Sequence, residues 1–167
     1  MPLFLLDIKN SKKVLDMCAA PGGKTIQLIC NKADVVAYDK NKNKVSIMKE
    51  NLRRLNFNNE VINKDSLKIN SKNKFDIVII DAPCSSIGTI RRNPEIFYRH
   101  SSPNFQYITS IQYKFLNKAK NLVKNNGIII YIVCSFLNNE GDKQIERFLN
   151  ENKNFSLVKF FSKKHDI

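Results

Sequence analysis

KVLDMCAAPGGKT, residues 13–25, opens with a short apolar run, KVLDM, that stops at a turn cluster. A short apolar run bounded by turn signals reads as a buried strand. Small residues and two glycines let a backbone approach a ligand closely before a helix N-terminus. Ile26, Ile29 and Cys30 then share one face of a helix predicted over residues 25–30. Two phosphate-binding readings fail. A P-loop needs a glycine five residues before Gly23, where Cys18 stands, and the glycines (22, 23, 88, 127 and 141) form no GxGxxG fingerprint. The loop Cys18, Ala19, Ala20, Pro21, Gly22, Gly23 and Lys24 is left as a cradle for a nucleoside-type cofactor or as an ordinary tight turn.

Outward from this loop, strands and helices alternate. DVVAYD (34–39) reads as a second strand, and Val45, Met48, Leu52 and Leu55 follow at helical spacing. Residues 60–62 are a weak third strand, and FDIVIID (75–81) is the strongest, apolar enough to be buried on both faces. A long irregular stretch follows over residues 82–102, a length that in compact domains is usually functional. Pro103 suits the first turn of a helix whose buried stripe is Phe105, Ile108, Ile111, Phe115, Ala119 and Leu122, ending near Asn125-Asn126-Gly127. IIIYIVC (128–134) is a fifth strand; a helix over 139–150 and a sixth strand over 155–160 complete the pattern.

Such alternation predicts an α/β fold, an open, mostly parallel sheet with helices on both faces, and the chain shows no internal repeat or second domain. Ligands in these sheets bind beyond the carboxyl ends of the strands, near a switch point. The chemically unusual residues fall there: 18–24 after strand one, Asp39 at the end of strand two, Asp65 after strand three, Asp81 and Cys84 after strand four, Cys134 ending strand five. Asp39 is placed to accept from ribose hydroxyls or to cap a helix. Asp65 meets an adenine edge or is a lone surface carboxylate. The four cysteines, Cys18, Cys30, Cys84 and Cys134, match no zinc or CxxC spacing, and a reduced, intracellular protein is expected. A free cysteine is by default a buried small hydrophobe. Two of them at neighbouring strand ends would face one pocket.

The 167 residues suffice for one domain with a real core, and with 43% apolar and 26% charged residues the chain is globular in composition. No apolar run reaches the roughly 18 residues of a membrane span, and the N-terminal decapeptide does not read as a signal peptide. Lys and Arg exceed Asp and Glu by 28 to 15, a net +13, which points to nucleic acid or another anionic surface. The equal numbers of lysine and asparagine, 22 each, also fit the codon bias of an AT-rich genome.

These motifs resemble the catalytic domain of the RNA cytosine-5 methyltransferases of the NOL/NOP/Sun type, which includes the bacterial RsmB-like rRNA enzymes. DMCAAPGGKT (16–25) is similar to their S-adenosylmethionine loop, DAPCSSIGTIRRNPEI (81–96) to their second signature, and YIVCS (131–135) to their Tyr-x-Thr-Cys-Ser signature. Order and spacing agree from about Leu3 to Leu149. The resemblance implies a Rossmann-like class I methyltransferase fold. It implies that Cys18 to Lys24, with Asp39, Asp65 and Asp81, hold S-adenosylmethionine. Cys134 would be the nucleophile, Cys84 the residue that helps release product, and Asp81 and Lys24 members of the catalytic group. Arg91 and Arg92 fall in the segment nearest the RNA. No metal is implied.

The chain departs from the family pattern at three places. Val133 stands where threonine is usual, Glu140-Gly141-Asp142 where Glu-Asn-Glu is common, and Lys44 where arginine is common. No RNA-binding element precedes the domain and no candidate for a seventh strand closes the sheet, so a fragment or an incomplete sheet is expected. The leading expectation is methyl transfer from S-adenosylmethionine to carbon 5 of cytosine in rRNA or tRNA through a covalent cysteine adduct. A catalytically weak RNA-binding or assembly factor is the second, and a methyltransferase for another substrate, such as protein, the third. The compartment expected is intracellular: nucleus or nucleolus, cytoplasm, or organelle.

Overall fold

The computed structural model describes residues 12–98 and 102–158. Among these residues, five strands form one sheet: β1 (Lys13–Asp16), β2 (Asp34–Tyr38), β3 (Val61–Ile62), β4 (Phe75–Asp81) and β5 (Val123–Ile132). Their order is β3-β2-β1-β4-β5, and every pairing is parallel. Four helices connect or follow them: α1 (Gly23–Cys30), α2 (Lys42–Arg54), α3 (Phe105–Leu122) and α4 (Asp142–Glu151).

β4 holds the centre because its sequence leaves it no solvent face: Ile77, Val78, Ile79 and Ile80 are each at most 5% exposed. Its alternate residues serve two cores. Val78 and Ile80 join Leu15, Leu116 and Phe148 under α3 and α4. Ile77 and Ile79 join Val14, Val35 and Leu28 of α1. Met48 and Leu52 of α2 pack beside Ala37 in a third cluster. Helices thus cover both faces, as the strand-helix alternation predicts. The switch point falls between β1 and β4, because chain connections leave β1 toward β2 on one side and return to β4 on the other.

Several element boundaries differ from the sequence expectation. α3 begins at Phe105, capped by Asn104, whose side chain accepts from the Tyr107 N–H at 2.9 Å, so Pro103 precedes the cap. The helix ends at Leu122, because Val123 already pairs with Phe75; Asn125–Gly127 form an irregularity within β5, not a helix stop. The buried face of α3 runs through Gln112, Tyr113, Phe115, Leu116, Ala119 and Leu122, while Phe105 is 38% exposed. Gln112 is buried with its amide nitrogen donating to the Pro83 carbonyl and to Glu140, each at 3.0 Å. Residues 155–158 form no strand: Phe155 instead sets its ring edge-on to Phe148, centroids 5.2 Å apart. Residues 159 and 160 of that expected sixth strand lie outside the described residues.

Candidate active site

A cleft of about 490 Å³ opens at the carboxyl ends of β1, β2 and β4. Of the residues predicted for the site, Cys18, Ala20, Asp39, Asp65, Asp81, Cys84 and Cys134 line it. Lys24 reaches its wall through Asp81. Ala19 and Gly22 are buried behind the lining, and Pro21 and Gly23 face solvent. Arg91 and Arg92 are exposed and lie off the cleft lining.

One half of the cleft is built by backbone folded around acids. Gly22 has φ +105°, and a Cβ there would sit 2.8 Å from Met48 Cγ, so the loop can turn against α2 only with glycine. Asp39 holds that loop in place: one carboxylate oxygen accepts from the Ala20 N–H at 3.1 Å, the other from the Asn41 N–H at 2.8 Å. Asn41, not Asp39, caps α2, accepting from the Lys44 N–H at 3.0 Å. Asp65 has a structural tie that neither reading of the sequence included. It lines the cleft and caps the 3-10 turn Ser66–Lys68 through the Leu67 N–H at 3.0 Å. Beneath the loop, the fully buried Asp16 accepts from the Thr25 hydroxyl at 2.7 Å. Burial pushes the Asp16 pKa up to about 6. Burial also pushes the Cys18 thiol up, next to the carboxylates of Asp16 and Asp39, so Cys18 is a neutral wall residue.

This half fits S-adenosylmethionine. Acceptors stand at the ends of two adjacent strands, where ribose hydroxyls and an adenine amino group present donors, and a small-residue loop leaves room between them. The volume lies within the ~300–1,000 Å³ common to ligand clefts.

The other half carries the thiols. Lys24 Nζ lies 2.5 Å from Asp81 Oδ2, joining the first loop to the end of β4. Pairing of β5 with β4 stops at Ile132, opposite Asp81. Cys134 therefore lies in the loop beyond the strand, not at its end, and is exposed. Its sulfur is 3.2 Å from Cys84 Sγ. The Ser86 hydroxyl lies 3.5 Å from Cys134 Sγ and 3.9 Å from Cys84 Sγ, from a residue in left-handed conformation, φ 61°. The Gly88 N–H donates to the Cys134 carbonyl at 3.0 Å, and a Cβ on Gly88 would crowd that oxygen at 3.1 Å. Burial first, then the hydrogen bond with Cys134, pushes the Cys84 pKa up to about 11.

Some lining residues carried no sequence signal of their own. Lys40 and Asn41 line the cleft because they follow Asp39 directly, their position after a strand end being the available clue, and Lys44, noted in the sequence only as a departure, reaches it from the first turn of α2. Ser86 sits inside the second motif. Phe115, expected in the core stripe of α3, also reaches the cleft. Glu140, noted in the sequence only as part of a departure, is fully buried beside both thiol loops.

An all-parallel sheet of this order, with an acidic, small-residue cleft at the switch point, is the Rossmann-like α/β fold of class I S-adenosylmethionine-dependent methyltransferases. The model of the family described as 16S rRNA methyltransferase RsmB/F matches residues 3–167, and the chain belongs to that family. The relation to the NOL/NOP/Sun enzymes expected from the motifs stands with it. The chain is 34% identical over 159 residues to ribosomal RNA small subunit methyltransferase B of Yersinia pseudotuberculosis, covering 92% of this chain and 37% of that protein. The crystal structure of PH0851 superposes with TM-score 0.88 at 34% identity, covering 96% of this chain and 38% of the other. The structure of NSun6 from Pyrococcus horikoshii, solved with SFG, superposes with TM-score 0.79 at 28% identity, covering 89% and 39%. The chain thus spans less than two-fifths of the length of these relatives.

Proposed function

We propose that the chain transfers a methyl group from S-adenosylmethionine to carbon 5 of a cytosine in RNA, with small-subunit ribosomal RNA as the substrate class suggested by its relatives. The observation that carries this reading is the pair of sulfurs 3.2 Å apart in the same cleft as the acidic cofactor half. Methylation of an amine or hydroxyl needs no thiol. Carbon 5 of cytosine is too weak a nucleophile to take a methyl from a sulfonium unaided, and a thiolate added to carbon 6 turns it into an enamine carbon.

The bound cofactor supplies an electrophilic methyl group. Every other part falls to this chain. Cys134, the exposed thiol, adds to carbon 6 of the base. Asp81, steered by Lys24, accepts a hydrogen bond from the amino group of the base and so orients the ring. Cys84 is half-buried, and burial and the hydrogen bond with Cys134 push its thiol up. It acts at release, when a base takes the carbon 5 proton, that electron pair re-forms the carbon 5–carbon 6 double bond, and the Cys134 sulfur leaves as a thiolate. Arg91 and Arg92, exposed on the turn after the Cys84 loop, meet the RNA backbone. Residues 1–167 form one catalytic domain in this reading, acting in an intracellular compartment where its RNA resides: nuclear, nucleolar, cytoplasmic or organellar.

Incubation with methyl-labelled S-adenosylmethionine and total RNA, followed by nucleoside analysis, tests the reading. Label in 5-methylcytidine supports it. Label in another nucleoside or in protein rejects it.

A further inference from the structure

The side chain of Glu140 is hydrogen-bonded to the neighbours of both thiols, Ser85 and Ser135, whose hydroxyls also lie 3.3 Å apart. Its Oε2 accepts from the Ser85 N–H at 2.8 Å and from the Gln112 amide at 3.0 Å. Its Oε1 accepts from the Ser85 hydroxyl at 2.5 Å and the Ser135 hydroxyl at 2.8 Å. Ser85 directly follows Cys84, and Ser135 directly follows Cys134. The ties continue outward. The Tyr131 hydroxyl donates to the Glu140 carbonyl at 2.7 Å, anchoring the residue to β5. Gln112 also donates to the carbonyl of Pro83, the residue before Cys84, at 3.0 Å.

A fully buried carboxylate is an expensive way to join two loops unless direction matters. Apolar contacts would hold them together without setting angles. Charge-assisted hydrogen bonds are shorter and directional, and here four donors converge on one group. Burial raises the pKa of Glu140, and the bonds from Ser85, Ser135 and Gln112 outweigh it, so the group is ionised at neutral pH.

We propose that Glu140 is a positioning residue that sets the spacing and orientation of Cys84 and Cys134. The inference rests on the reading of these cysteines as the working pair, and the first readout of its test is the thiols themselves, without RNA.

The test uses the full chain and dibromobimane, which becomes fluorescent only when both its bromomethyl groups have alkylated neighbouring thiols, each releasing bromide. Cys84→Ser provides the blank for the other cysteines. In wild type the reagent should bridge Cys84 and Cys134 rapidly. Glu140→Ala strips the acceptors from both loops and should slow bridging severalfold. Glu140→Gln should restore most of the rate, because its amide oxygen accepts from Ser85 and Gln112 while its amide nitrogen donates to the rotatable serine hydroxyls. Ser135→Ala cuts one arm only and covers the case in which Glu140→Ala fails to fold; it too should slow bridging. In methylation assays kcat should fall on the order of 100-fold in Glu140→Ala, with KM for S-adenosylmethionine near wild type. Wild-type bridging rates in both Glu140→Ala and Ser135→Ala would overturn the proposal. So would a Glu140→Gln protein as slow as Glu140→Ala, or an equal rise in cofactor KM, since each marks a general structural role. If bridging responds as expected while wild type methylates no RNA, the proposed reaction fails and the positioning role stands.

Discussion

Cys84 Sγ and Cys134 Sγ are 3.2 Å apart although 50 residues separate them in the chain. Nothing covalent brings them together. β4 and β5 run side by side, stop together at Asp81 and Ile132, and release their loops over the same cleft. Gly88 then lets one loop donate to the carbonyl of Cys134 at 3.0 Å without a side chain in the way.

That contact makes the division of labour between the thiols testable. Cys134→Ala should abolish methylation and form no covalent complex, because no enamine arises. Cys84→Ala should transfer the methyl and then stall, leaving protein bonded to RNA as a slow, denaturant-resistant band on a gel. Trapping in Cys134→Ala and none in Cys84→Ala would reverse the roles.

Asp39 is both a cofactor acceptor in the proposed site and the anchor of the Ala20 and Asn41 N–H groups. Asp39→Ala should therefore weaken S-adenosylmethionine binding through both effects. Each hydrogen bond to a charged group is worth about 1.5–3 kcal/mol. Asp39→Asn keeps one acceptor oxygen and should fall between the two. Calorimetry giving the same affinity for all three proteins would remove Asp39 from the site.

The excess of 28 basic over 15 acidic residues has a readable consequence if it serves RNA. Binding should weaken steeply with salt as counterions are released, by a slope that grows with the number of phosphates neutralised. Alanine at both Arg91 and Arg92 should flatten that slope. An unaltered slope and affinity, measured by fluorescence anisotropy across a salt series, would leave the charge as genome composition.

Asp16 predicts a pH effect on stability. Its carboxyl titrates near 3.8 when unfolded and near 6 when folded, raised first by burial. Between these values the native state binds more protons than the unfolded state, so this group's contribution falls as pH rises. Above the folded value the buried carboxylate costs about 3 kcal/mol, taking about 1.4 kcal/mol for each unit. Asp16→Asn removes the titration and keeps an acceptor for Thr25. Relative to wild type, the variant should gain stability as pH rises from about 4 to about 7. Urea unfolding that shows a constant difference over this range would contradict the assignment.

Much of this architecture was legible in one dimension. The apolar run of residues 75–81 became β4 with the same limits, and the glycine-bearing loop after residue 17 lies at the cleft as strand-end logic requires. The pattern misled at 155–158, because apolar residues serve equally to pack against a helix, as Phe155 does against Phe148. The stripe drawn through Phe105 and Ile108 misled for a related reason: it counted only apolar residues, and the buried face passes through Gln112.

By itself the sequence determined the order of strands and helices, the family, and which residue types stand at strand ends. These are local properties, since period, turn chemistry and motif spacing act over a few residues. Tertiary structure alone decided that Cys84 touches Cys134, that Lys24 pairs with Asp81, and that Glu140 joins Ser85, Ser135 and Gln112. Apart from the nearby Ser135, these partners are 28 to 57 residues away along the chain. Their contact depends on strand register, loop path and the desolvation that makes a buried carboxylate seek every available donor. No pattern along the chain records those quantities.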